Sequence, residues 1–124
     1  MRTLLTRSLL AIPLLVLAAG PARAVEGSDF LLENAQELGA LCAANTNVAA
    51  IHMCEGFLVG VHRTYQSVAA ALGERLYCLP TDKGLTRDGV ARDFAAWASK
   101  TPATVTMTPV DGVLEFAHLS YPCR

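Results

Sequence analysis

NVAAIHMCEGFLVGVHRTYQSVAAAL, residues 47–72, decides the fold. Within it Ile51, Cys54, Leu58, Val61, Tyr65, Val68 and Leu72 recur at alternating steps of three and four, the spacing that gathers side chains on one face of an α-helix. The run predicts one long helix from about Asn47 to Leu72, ended by Gly73, a residue suited to the left-handed turn that closes a helix. A second stripe, Ala49, Met53, Gly56, Gly60, Ser67 and Ala71, is mostly small. It lies roughly opposite the first, because a two-residue offset is about 200° around the helix. Two stripes predict a central helix packed on both sides. Gly56 and Gly60 are its candidate packing residues, since each glycine in a helix costs about 1 kcal/mol relative to Ala unless close contact offsets it. The neighbour is either another helix of the same chain or a second copy of the chain.

Outward from this segment, Asn34 with Glu37 three residues on makes a capping-box pattern for an earlier helix, with Ser28 as a competing start. After Gly73, the stretch Tyr77 to Gly84 has the turn chemistry of a surface loop. Thr86 caps a third helix with apolar positions Val90, Phe94, Trp97 and Ala98, which stops near Lys100 because Pro102 makes Thr101 non-helical. Thr108 caps a fourth, with Pro109 at the first helical position, Asp111 in the first turn, and Val110, Val113, Leu114 and Ala117 facing inward. Ala103 to Met107 is β-branched but short and has no evident strand partner. The class is all-α, a small four-helix bundle-like domain.

Before the domain stands a different kind of segment. Arg2 and Arg7 precede an apolar run from Leu9 to Ala19, followed by Gly20-Pro21 and Ala22-Arg23-Ala24. This is the pattern of a secretory signal peptide over residues 1–24, and its apolar run is too short for a permanent membrane span. The domain then occupies residues 25–124, and localisation is periplasmic. The whole chain has a formal charge of −1. Removing the leader takes away three arginines and no acid, leaving 7 Lys+Arg against 11 Asp+Glu, a balance that gives no electrostatic reason to bind nucleic acid.

The four cysteines, Cys42, Cys54, Cys78 and Cys123, all follow the leader, and an even number in a small exported chain points to disulfides. In a straight helix Cys54 lies about 27 Å from Leu72, whereas six residues return at most about 20 Å. Cys54–Cys78 is therefore disfavoured, and Cys42–Cys78 more so, which leaves Cys42–Cys54 with Cys78–Cys123. No Cys-x-x-Cys occurs, so a metal site is not expected. Cys54 and His52, two apart on a helix, face opposite ways and make no nucleophile–base pair. His52, His62 and His118 read as surface or boundary histidines, His118 at the buried edge of its helix, four residues after Leu114; neither catalytic residues nor a cofactor are expected.

Leu41-Cys42, then Cys54-Glu55-Gly56-Phe57-Leu58-Val59-Gly60-Val61, Cys78-Leu79-Pro80, the Thr86-capped helix and the closing Tyr121-Pro122-Cys123 together resemble the Tai family of type VI secretion amidase immunity proteins. The resemblance covers nearly all of residues 34–124. It implies a helical, disulfide-bonded periplasmic protein, usually dimeric, that binds and blocks a peptidoglycan amidase effector without itself being an enzyme. Two departures stand out: Gly89 replaces a Gln usual in the family, and Pro102-Ala103-Thr104-Val105 replaces a charged Pro-Glu stretch.

Connecting segments are where recognition residues concentrate in such a fold. Asp82 and Lys83 in the first long loop, and Thr104 and Val105 in the second, are the candidate partner-binding residues. The alternative reading of the chain is a small periplasmic helical chaperone or structural binding protein with no toxin partner.

Overall fold

The computed structural model describes residues 27–124; the expected signal peptide lies outside the described residues. Four α-helices form the domain, α1 Ala35–Ala43, α2 Val48–Leu72, α3 Arg87–Lys100 and α4 Pro109–Ser120, with 3-10 turns at Gly27–Phe30 and Pro102–Val105. No strand occurs among the described residues, so the class is all-α.

Each α-helix begins at a polar side chain that accepts one of the backbone N–H groups a helix start leaves unpaired. Asn34 Oδ1 takes the Glu37 N–H at 2.9 Å, and the Glu37 carboxylate takes the Glu33 N–H at 2.7 Å, one residue before the donor of a strict capping box. Asn47 accepts from Ala50 at 3.0 Å, Thr86 from Gly89 at 3.0 Å, and Thr108 from Asp111 at 3.2 Å. Gly73 closes α2 in the left-handed region, φ 72°, where a Cβ is unfavourable.

The core is built from Leu38 and Cys42 of α1, Cys54 and Leu58 of α2, Ala91, Phe94 and Ala98 of α3, and Val113 and Phe116 of α4. Phe94 and Phe116 meet edge to face with centroids 5.5 Å apart, a favoured aromatic geometry, and Trp97 packs beside both. Cys42–Cys54 and Cys78–Cys123 are disulfide-bonded. The pairing read from chain geometry is the one that forms.

The central helix is α1, not α2. Both helices touch the other three, but on the 9-residue α1 Ala35, Leu38, Gly39, Leu41 and Cys42 are buried, against Ala50, Cys54, Leu58 and Ala69 on the 25-residue α2. Close approach occurs at glycines other than those expected: a Cβ on Gly39 would meet Ala98 Cβ at 2.5 Å, and one on Gly112 would collide with Ala35 Cβ. At Gly56 and Gly60 an added Cβ would meet nothing within 4 Å, so no helix among the described residues packs there. Ala49, Gly56, Gly60, Ser67 and Ala71 are exposed and Met53 is half-buried. The physical reason is area: glycine, alanine and serine carry little apolar surface, so a stripe of them supplies little drive for burial.

Burial on the first stripe also fades along α2, from Cys54 and Leu58 in the core to Val68 and Leu72 at 50% and 71% exposure. On α4 the expected inward position Val110 is exposed, and Phe116 fills the core instead. His118 is exposed rather than at a buried edge.

Candidate functional site

The segment after Gly73 turns back along α2 and is held there by a clamp of side chains. Tyr65, on α2, offers its hydroxyl oxygen to the backbone N–H groups of Leu76 and Tyr77. Tyr77 is buried and stacks on Tyr65 with ring centroids 4.3 Å apart. Its hydroxyl is hydrogen-bonded to His62 Nδ1 at 2.8 Å. From the other side, His118 Nδ1 lies 2.8 Å from the Leu76 carbonyl oxygen; a carbonyl only accepts, so the imidazole donates from this nitrogen.

Burial, and then the positive charge of Arg63, lower the His62 pKa below its ordinary value. Burial, and then the neighbouring Tyr65, push the Tyr77 hydroxyl up to about 12. At neutral pH the clamp is therefore an uncharged pair sharing a hydrogen, suited to a partly buried position. One residue later the Cys78 N–H donates to the Tyr121 carbonyl at 2.8 Å, and Cys78 is bonded to Cys123. The chain is thus fixed at three successive residues, Leu76, Tyr77 and Cys78, immediately before the exposed loop.

That loop carries Leu79 and Leu85 at 37% and 40% exposure, with Asp82 and Lys83 exposed between them and Gly84 at φ 56°, where the left-handed backbone favours glycine. Two shallow clefts flank Cys78–Thr81. One, of about 520 Å³, is lined on its α2 side by His62, Arg63, Tyr65 and Gln66 and faced by Arg75 and Tyr77. The other lies between Leu79–Lys83, Leu85 and the C-terminal Ser120–Pro122 with Arg124.

Of the four expected contact residues, Asp82 and Lys83 sit together at the rim of the second cleft. Thr104 does not suit the role: it is buried at 1% exposure, and its hydroxyl donates to the Ala98 and Thr101 carbonyls, which ties the 3-10 turn to the end of α3. Val105 is half exposed on that turn and lines neither cleft. All four cysteines are consumed by disulfides, which removes them as metal ligands or nucleophiles. The tyrosine–histidine clamp was not anticipated from sequence. Its one signal is the Gly73 cap, which reverses the chain and sends residues 74–77 back past the last turns of α2.

A sequence model of the Rap1a immunity proteins matches residues 34–123. No curated protein and no solved structure matches the chain significantly. The matched span begins at the cap of α1 and ends at the cysteine that closes the second disulfide, so it takes in all four α-helices of the described residues and both bridges.

Proposed function

The chain belongs to the Rap1a immunity protein family, and on that premise we propose that it binds and inhibits a peptidoglycan amidase effector of a type VI secretion system, as the resemblance to Tai proteins implies. It acts in the periplasm as a single domain over residues 25–124 after loss of the signal peptide. Two disulfides support this compartment, since they persist where the surroundings are oxidising, and no described helix is long and apolar enough to cross a membrane.

The observation that carries the reading is the contrast between anchor and loop. Leu76, Tyr77 and Cys78 are pinned by Tyr65, His118, Tyr121 and a disulfide, while Leu79, Asp82, Lys83 and Leu85 directly after them are exposed. A loop ordered before binding loses less conformational freedom on docking, and an apolar pair with charged residues between fits insertion into an active-site cleft. Inhibition is by occlusion, with no chemistry from the immunity protein. The small-residue face of α2 at Gly56 and Gly60, exposed in the single chain, is the proposed contact of a homodimer.

Co-purification from the native periplasm tests the reading. We expect a peptidoglycan amidase to come down with the tagged protein, and to be lost when Leu79 and Leu85 are both changed to Asp. Recovery of the protein without any amidase, under conditions where the effector is present, would overturn it.

A further inference from the structure

After residue 24 the chain is acidic, with seven Lys and Arg against eleven Asp and Glu, yet its cations are gathered on one side. Arg63, Arg75, Lys83 and Arg124, four of the seven, line the two clefts that flank Cys78–Thr81, and among the described residues Asp82 is the one acidic side chain that does so. No carboxylate of the described residues pairs with any of the four within 4 Å; the ion pair found among the described residues is Arg92 with Asp88, on α3, away from both clefts. Arg63 has only the Gln66 side-chain oxygen, at 3.3 Å.

In the larger cleft the hydroxyls of Tyr65 and Tyr77 are already engaged with backbone N–H groups and with His62. The charged donors there are the guanidinium groups of Arg63 and Arg75, beside an aromatic wall of Tyr65 and Tyr77. A planar guanidinium matches a carboxylate through two parallel hydrogen bonds, and a low-dielectric wall strengthens such a pair relative to open water.

We propose that this cleft receives an acidic segment of the protein partner, its Asp or Glu carboxylates seated on Arg63 and Arg75 while Lys83 and Arg124 extend the positive field along the neighbouring cleft. The inference rests on the proposed inhibition of an effector for the identity of that partner, but the site itself is testable without it. Clustered cations on an otherwise acidic protein also orient the approach: the rest of the surface repels an acidic partner and this face attracts it.

The first test titrates the isotope-labelled protein with hexaglutamate, hexaglutamine and inorganic phosphate, reading arginine Nε–H and tyrosine ring resonances by NMR. Hexaglutamate should shift Arg63, Arg75, Tyr65 and Tyr77, hexaglutamine should shift none of them, and Arg63→Glu with Arg75→Glu should abolish the response without changing the far-UV spectrum. No shift with hexaglutamate, equal shifts at Arg87 and Arg92, or an equal response to phosphate would overturn the proposal. The second test uses the amidase effector. The double variant should bind at least about tenfold more weakly at low salt, with the deficit shrinking as salt rises, while Lys100→Glu stays within about twofold. If the native protein binds the amidase and the double variant binds equally well, the cleft assignment fails and the inhibitory function stands. If the native protein binds no amidase but responds to hexaglutamate as described, the inhibitory function fails and the cleft assignment stands.

Discussion

Burial first, and the charge of Arg63 second, keep His62 neutral to lower pH than an ordinary histidine of pKa 6.5. The unfolded chain therefore takes up a proton on this side chain before the folded chain does, so stability falls as pH drops below about 6.5 through the folded value. Thermal unfolding between pH 7.5 and 5 should show a loss in the native protein that is smaller in His62→Gln; an identical loss in both would mean that His62 is not coupled to folding. Tyr77 acts at the other end of the scale. With its hydroxyl raised to about 12, the folded state holds its proton after the unfolded state has released it near 10, so stability is fully present below pH 10 and declines from there toward 12. Neither effect was readable from sequence, because each depends on Tyr77 returning to α2, a contact between residues 15 apart.

At the scale of the elements, helix boundaries were legible because caps are local: Asn34, Asn47, Gly73, Thr86 and Thr108 all terminate helices where their chemistry says they should. Packing was less legible. The small stripe of α2 looks the same in sequence whether it meets a neighbour or water, and the glycines that do sit against another helix, Gly39 and Gly112, carry no periodic signal that marks them. The two kinds of glycine should respond oppositely to one methyl group. Gly56→Ala and Gly60→Ala should stabilise the monomer by about 0.5–1 kcal/mol, by lowering the conformational freedom of the unfolded chain. Gly39→Ala and Gly112→Ala should destabilise by about 1–3 kcal/mol through overpacking. Urea unfolding of the four variants, at a concentration where the chain is monomeric, checks both signs, and a loss of stability at Gly56 there would contradict the solvent-facing placement of that side of α2. If the homodimer uses this face, Gly60→Leu should leave a folded monomer and abolish dimer in sedimentation; a persisting dimer places the interface elsewhere.

For the molecule as a whole, the two disulfides divide the work. Cys42–Cys54 is buried within the core, whereas Cys78 is half-buried and Cys123 exposed where they tie the loop segment to the C-terminus. On the chain-entropy account the bridges contribute roughly 3 and 4 kcal/mol, large against the roughly 5–15 kcal/mol of a typical domain. Their pairing was readable from sequence because the length of α2 disfavours the alternatives, even though the clefts beside Cys78 were not. Unreduced protein should show no free thiol on unfolding, and mild reduction with alkylation should label Cys78 and Cys123 before Cys42 and Cys54, since attack by a thiolate needs access. Labelling in the reverse order would contradict the difference in burial.

On the proposed function, a loop held in place by the Tyr65–Tyr77–His62 clamp and the Cys78–Cys123 bridge closes the active site of an effector. Titration of peptidoglycan hydrolysis by the amidase effector with purified protein starting at residue 25 reads this closure. Activity should fall linearly to near zero at one chain per active site, and Leu79→Asp with Leu85→Asp should restore it while the protein stays folded. An amidase that remains fully active in the presence of a molar excess of the native protein would show that the loop does not close its active site.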